Sequence, residues 1–446
     1  MILRFSFNAK LATLLIFGEI APSPLLAYNN AQQLPLGSWK GVPATNVTAF
    51  PTATERLERA AQAGRAAGVF HCVIRDGQVI HQAAAGVANP ETGAPFTPDT
   101  IVRIYSMTKP ITSVGALVLL DQGEFRLDDP VAKFIPAFTN ATVLEKSGDT
   151  IRRVPPKRPI TVRDVFTHTT GYSYGDEMEV REFYQREGLR YRGPHELFPP
   201  EMSIAQAAEA MARIPALHHP GERFTYGFNT DLLGRLIEIW SGQPLDVFLR
   251  EAVFEPLQMS DTAFSVPANK RDRFASCFGT RDGKRAVVDP AATSPFNAGF
   301  SFLSGGGGLV STARDYARFG QMLVDGGVAG GRRLLRAETL GLMFTNQLSG
   351  GGDKGFRFGL GLEIKAVTLG SGAEQRAATG YTWGGYASTD FRIIPSERTV
   401  QLVLRQEVPF DNSLARELNA AVDAAWLSAK RPRDQGGPPT DAAPKP

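Results

Sequence analysis

Strand-like runs at both ends of the chain, with a long helical and proline-broken middle between them, constrain the fold more than any other feature. Near the N-terminus, residues 69–74 and 79–85 are apolar, β-prone runs on either side of Asp76-Gly77, a dipeptide suited to a tight hairpin turn. Four further runs follow near the C-terminus, at 356–364, 375–382, 389–394 and 399–406. An isolated two-stranded hairpin is marginal in water, so it needs more strands beside it. The reading is therefore α+β: one mixed sheet whose edge is completed by the N-terminal hairpin, with helices packed on it.

The helical signals fit that plan. Residues 53–68 carry helix formers up to a closing glycine, and 413–428 reads as a final helix. Ile111, Val114, Leu117, Val118 and Leu120 fall near helical spacing and point to a mostly buried helix that Gly123 ends. Further helical patterns lie at 203–213, 230–241 and 244–253, while 145–160 is polar and proline-rich and reads as a flap or loop. The 446 residues are enough for a large core, and no internal repeat is visible.

At the N-terminus, Arg4 and Lys10 precede an apolar Leu11 to Phe17 and a small-residue stretch ending at Ala27. That is the pattern of a secretory leader over 1–27, which implies a periplasmic or secreted protein. No later window is apolar for ~18 residues, so no membrane span is expected in the mature chain. Residues 431–446, rich in Pro, Gly and Lys, read as a disordered tail. The 48 basic and 45 acidic residues are interleaved, which gives no stripe for a nucleic-acid backbone. Cys72 and Cys277 make neither a disulfide framework nor a zinc site and read as packing residues.

The chemistry concentrates at IYSMTKPIT, residues 104–112. Ser106 and Lys109 lie three apart, on one face if the segment is helical, and Pro110 is tolerated only near a helix start. A lysine so placed can deprotonate a serine, and the N–H groups of a helix start stabilise an oxyanion. Alone this is weak evidence, since serine also caps helices. Four more motifs follow in order: FTHTTG at 166–171, PGERFTYGFNTDLLG at 220–234, SGGGGLVST at 304–312 and GYTWGG at 380–385. His168 reads as a buried imidazole tying down its turn. His218-His219 diverge and lack a third ligand, and the glycine run 305–308 has no Lys-Ser/Thr of a phosphate loop after it.

Together the five motifs, over about residues 50–430, resemble the serine β-lactamase and D,D-peptidase superfamily, most closely the family VIII carboxylesterases related to class C β-lactamases. The resemblance implies an antiparallel sheet flanked by helices, with an inserted helical region at about 115–290, and no metal or organic cofactor. It implies Ser106 as the acylated nucleophile, Lys109 as its proton partner and Tyr226 as the tyrosine that shuttles a proton to the leaving group. It places Trp383-Gly384-Gly385 as the third motif, and the backbone N–H of Tyr386 with that of Ser106 as the oxyanion hole.

Two departures from the class C pattern bear on substrate. Phe228 stands where Tyr-x-Asn would put an amide at the substrate, with Asn229 one place late, and Trp383 stands where a cation usually holds a carboxylate. Both favour a neutral small-molecule ester. A β-lactamase or D,D-peptidase acting on cell-wall peptides, and a non-catalytic binding protein of the same fold, stay open at this point. The aromatic residues Tyr172, Tyr174, Phe183, Tyr184, Tyr191 and Phe198 read equally as pocket wall or core.

Overall fold

A sheet of antiparallel strands divides the protein into two layers in the computed structural model, which describes residues 47–148, 150–189, 202–349 and 355–428. The leader, the tail, Tyr191 and Phe198 lie outside the described residues. Strands β1 (Val47–Thr48), β2 (Gly68–Arg75) and β3 (Gln78–Asn89) form one side of the sheet. In space the order runs β1, β3, β2, then the C-terminal strands Thr399–Arg405, Thr389–Ile394, Arg376–Gly385 and Glu363–Leu369. The two ends of the chain thus meet at β2, where Leu402 pairs with Cys72. Every pairing along this path is antiparallel, so the expected mixed sheet is antiparallel throughout.

β2 is buried along its whole length because both of its faces are covered. Val69 and Val73 face a cluster formed with helix α1 (Pro51–Gln62) and the C-terminal helix Ser413–Ala425, while Phe70, Cys72 and Ile74 face the larger core. A strand covered on both sides reads as a continuous apolar run, which is why this segment is plain in the sequence. Cys72 and Cys277 are both buried and unpaired, and burial pushes the Cys277 thiol up to about 12, so both serve as packing.

The larger core holds helix α2 (Thr108–Gln122), which is buried on every side over its first three turns and ends on Gly123 in the left-handed conformation, φ 84°. Helices α3 (Val162–Phe166) and α5 (Ile204–Arg213) pack on α6 (Asn229–Ser241), which itself packs on α2, and α4 (Met178–Arg186) adds Val180 and Tyr184 to the same core. No helix among the described residues is long and apolar enough to cross a membrane.

Three local readings need correction. Residues 145–160 are not a loop throughout: Val143–Ser147 and Thr150–Val154 pair as a hairpin whose residues 145–148 and 150–153 are exposed, so it shows no apolar alternation. The strand expected at 356–364 lies later, at Glu363–Leu369. The alternating residues before it form a tight turn in which Gly361 has φ 97° and a Cβ on Gly359 would lie 1.9 Å from the Met343 carbonyl oxygen. The helix Ala313–Val324 was not read at all, although Thr312 caps it by accepting from the Asp315 N–H at 3.1 Å.

Candidate active site

The segment carrying Ser106 is clamped from two directions before α2 begins. Val102–Arg103 pairs with Val310–Ser311, and the Ile104 N–H donates to the Leu309 carbonyl at 3.1 Å. Arg103 is wholly buried and donates to Asp289 at 2.6 Å and to the Ala275 carbonyl at 2.6 Å. Tyr105 is then forced to φ 40°, a strained value for a residue with a Cβ, with its ring held edge-on between Phe296 and Tyr386. A short 3₁₀ turn, Tyr105–Met107, presents Ser106 half-buried and leads directly into α2.

Lys109 lies one turn on, with its side chain on the same face as Ser106. Its Nζ donates to the Gly306 carbonyl at 2.6 Å and to Tyr174 Oη at 3.0 Å, and reaches Ser106 Oγ at 3.4 Å. Tyr226 Oη donates to Ser106 Oγ at 2.8 Å. The three residues expected to carry the chemistry therefore converge on one oxygen. The contact set also serves either charge state of the amine. An ammonium donates three times, while a neutral amine keeps two donations and accepts a proton from a hydroxyl, which Ser106 can supply and Gly306 cannot.

Tyr226 arrives just before α6, and Gly227 makes its approach possible. A Cβ on Gly227 would lie 2.4 Å from the Ser173 backbone, so the two loops cross in contact and bring Tyr174 edge-on to Tyr226, ring centroids 5.5 Å apart. Tyr174 is a residue in contact with Lys109 that the motifs did not single out. Its signal was present in the aromatic run after FTHTTG, but nothing in the sequence separated it from its neighbours. Tyr172 and Tyr184 are core, and Phe183 lies between the guanidinium groups of Arg153 and Arg186.

Phe228, expected against substrate, is 3 % exposed and packs behind Tyr174, ring centroids 4.9 Å apart. It therefore bears on the site through Tyr174. Asn229 is buried as well: its amide donates to the Tyr172 carbonyl at 3.1 Å and meets His168 Nδ1 at 3.1 Å. With Nδ1 accepting, Nε2 carries the proton toward Thr230 Oγ1, 3.4 Å away. Burial, and then the Lys109 charge, hold His168 well below the ordinary imidazole range, so it is a neutral structural residue.

The third motif lies on the sheet strand Arg376–Gly385. A Cβ on Gly385 would lie 2.2 Å from the Ile104 carbonyl oxygen, so only glycine lets this strand close on the nucleophile segment. Tyr386 follows at once, its ring 6.0 Å from that of Tyr105, which puts it beside Ser106. Gly384 faces away, toward Phe410. Trp383 is half-buried against Tyr226 and Phe358, at 5.5 and 5.3 Å between centroids. Its Nε1 is buried and has no hydrogen-bond partner among the described residues.

The glycine run 305–308 passes beneath Lys109. Cβ atoms at Gly305 and Gly306 would lie 2.6 Å from the Thr230 carbonyl and from an Asp231 carboxylate oxygen, which is why side chains are missing there. His218 and His219 make local bonds, to Thr225 Oγ1 at 2.7 Å and to the Lys157 N–H at 3.3 Å. A groove of about 640 Å³ between α5, α6 and Phe134–Pro136 shares no lining residue with the serine site.

The chain as a whole has known relatives. The profile of the Beta-lactamase family matches residues 54–424, most of the chain. The chain belongs to that family. A Mycobacterium tuberculosis relative, protein Rv1367c, is 31% identical over 84% of this chain and 92% of its own. Esterase EstB of Burkholderia gladioli is 28% identical over 59% of this chain and 67% of its own. Among solved structures, EstCE1, described as a hydrolase with promiscuous acyltransferase activity, superposes with a TM-score of 0.67 at 23% identity, covering 85% of this chain and 99% of that one. At that identity the likeness concerns the fold.

Proposed function

We propose that the protein is a serine hydrolase of small carboxylic esters, working through an acyl-enzyme on Ser106. One observation carries the reading: Ser106 Oγ accepts from Tyr226 at 2.8 Å with Lys109 Nζ 3.4 Å away, at the start of a buried helix. In this mechanism Ser106 Oγ bonds to the ester carbonyl carbon while its proton passes to the Lys109–Tyr226 pair. The N–H groups of Ser106 and Tyr386 receive the negative oxygen. Tyr226 then returns the proton to the departing alkoxide, which leaves as the alcohol, and water enters by the same route to release the acid.

The aromatic wall supports the proposed substrate class. Trp383 offers one neutral donor and a large apolar face where relatives carry a cation, and Phe228 supports a tyrosine where an amide would stand. Both suit an uncharged ester better than a β-lactam carboxylate. The family membership and the names of EstB and EstCE1 support the same chemistry. EstCE1 also makes an alcohol a candidate acyl acceptor beside water, since both attack the same acyl-enzyme. We further propose export of the mature chain, on Arg4, Lys10 and the apolar run after them.

Intact-protein mass spectrometry after exposure to p-nitrophenyl acetate, and separately to a penicillin, tests the reading. The expected result is a gain of one acetyl group that Ser106→Ala abolishes, with no lasting penicillin adduct. An acetyl adduct of equal yield on the alanine variant would move the nucleophile elsewhere.

A further inference from the structure

We propose that Asp231 is a positioning residue for the reaction: its carboxylate is the buried counter-charge that holds the Gly306 carbonyl on Lys109 and so sets the path of the Ser106 proton. This rests on the acyl-enzyme reading above. Asp231 lies in the first turn of α6 and is 3 % exposed. Its Oδ1 accepts from Ser304 Oγ at 2.5 Å and from the Gly306 N–H at 3.1 Å. The same glycine's carbonyl accepts from Lys109 Nζ at 2.6 Å. One residue of backbone therefore separates the carboxylate from the amine, and it is gripped at both ends.

The choice of a carboxylate needs explaining, because two donors alone could be met by a neutral amide. Burying an anion is unfavourable unless charge or hydrogen bonds compensate it. Here burial pushes the Asp231 carboxyl above its ordinary range, and the Lys109 charge is the largest influence opposing that shift, followed by the Ser304 and Gly306 bonds. The other groups facing this cluster are neutral or hydroxylic. His168, beyond α3, is held uncharged by burial, Tyr174 and Tyr226 present phenols, and Ser106 and Ser304 present alcohols. Asp231 thus supplies the negative charge that a buried lysine lacks elsewhere in the cluster.

The glycine run completes the device. Thr112 Oγ1 donates to the Gly305 carbonyl at 2.8 Å, so α2, which carries Lys109, and α6, which carries Asp231, both hold this turn. Their relative position therefore fixes where Lys109 Nζ points.

Two variants test charge and grip separately. Asp231→Asn keeps the shape and one oxygen but removes the charge. The loss of the buried anion removes the negative charge facing the amine, so the limb of the pH–acylation profile moves to lower pH. The acylation rate at the wild-type optimum falls at least ~10-fold, with KM little changed. Ser304→Ala leaves the carboxylate but removes a donor, so it is more often protonated. This variant shifts the limb the same way by less, and it carries the test should Asp231→Asn not fold, as judged by circular dichroism. Acylation is followed as the p-nitrophenol burst from pH 5 to 10. Unmoved limbs in folded variants overturn the proposal. A wild-type protein that gives no burst and no acetyl adduct overturns the underlying reading and this proposal with it.

Discussion

Replacing Tyr174 by phenylalanine removes one oxygen and leaves the ring. The lost contact is the 3.0 Å bond from Lys109 Nζ, while the edge-on packing against Tyr226 and Phe228 is kept. A hydrogen bond to a charged group contributes roughly 1.5–3 kcal/mol net. If Lys109 depends on that bond when Ser106 attacks, acylation slows by about ten- to more than a hundredfold. Lys109 keeps its Gly306 bond, so the residue stays in place and the loss appears in kcat rather than in KM. Stopped-flow measurement of the p-nitrophenol burst isolates the acylation step, and a thermal melt alongside it checks that the core is intact. Acylation by Tyr174→Phe within twofold of wild type, with the fold unchanged, would show that Tyr174 is only a wall and refute the reasoning.

Trp383→Lys should narrow the ratio of p-nitrophenyl butyrate to nitrocefin turnover by one to two decades, since a cation restores a carboxylate contact of about 1.5–3 kcal/mol; efficient nitrocefin hydrolysis by the unmodified protein would instead favour a β-lactamase. A second expectation concerns acid stability. Burial holds His81 at about 4, below the ordinary 6.5, so it is neutral when folded and its contribution is complete above pH ~6.5 and lost between there and about 4 as the unfolded chain takes up protons first. Urea titrations at pH 7.5 and 4.5 should show the wild type losing up to about 3 kcal/mol through this group and His81→Gln losing less, although His71, 3.2 Å away, also titrates. Equal losses in both proteins would exclude His81 as a source.

What the sequence disclosed follows from where burial leaves a pattern. β2, buried on both faces, and α2, buried on nearly all sides, were plain because every residue contributes to the apolar run. The hairpin Val143–Ser147 with Thr150–Val154 was not, because an exposed hairpin has no inward face to enforce alternation. The strand Glu363–Leu369 was misplaced for the opposite reason. The preceding turn alternates apolar side chains with glycine without being a strand, because Phe358 to Leu362 are buried in succession and Gly361 there lies against Ser113 of α2. At the site, Ser106, Lys109 and Tyr226 were legible because their spacing is local or their motif is ordered. Tyr174 and Asp231 were not, since each meets Lys109 through a contact between distant segments, Asp231 by way of the Gly306 backbone.

The two departures from the class C motif pattern are connected through two rings, Tyr174 on Phe228 and Tyr226 on Trp383, which lie edge-on to each other. The resemblance puts an amide two residues after the catalytic tyrosine; here that position is Phe228, which turns away from the site into the core beside Tyr184. Tyr174 lies against Phe228 and extends its hydroxyl to Lys109. An apolar residue at 228 is therefore a platform rather than a gap, because a buried amide there would sit against aromatic carbon without a partner and cost about 1–3 kcal/mol. On the opposite wall Trp383 leans on Tyr226 and Phe358, with its Nε1 buried and unpaired among the described residues. That wall presents aromatic faces rather than a cation, and Lys109 is already engaged below by the Gly306 carbonyl and Tyr174. On the proposed reading, Ser106, Lys109 and Tyr226 would form the acyl-enzyme, and the aromatic groups around them would suit an uncharged ester better than an anion.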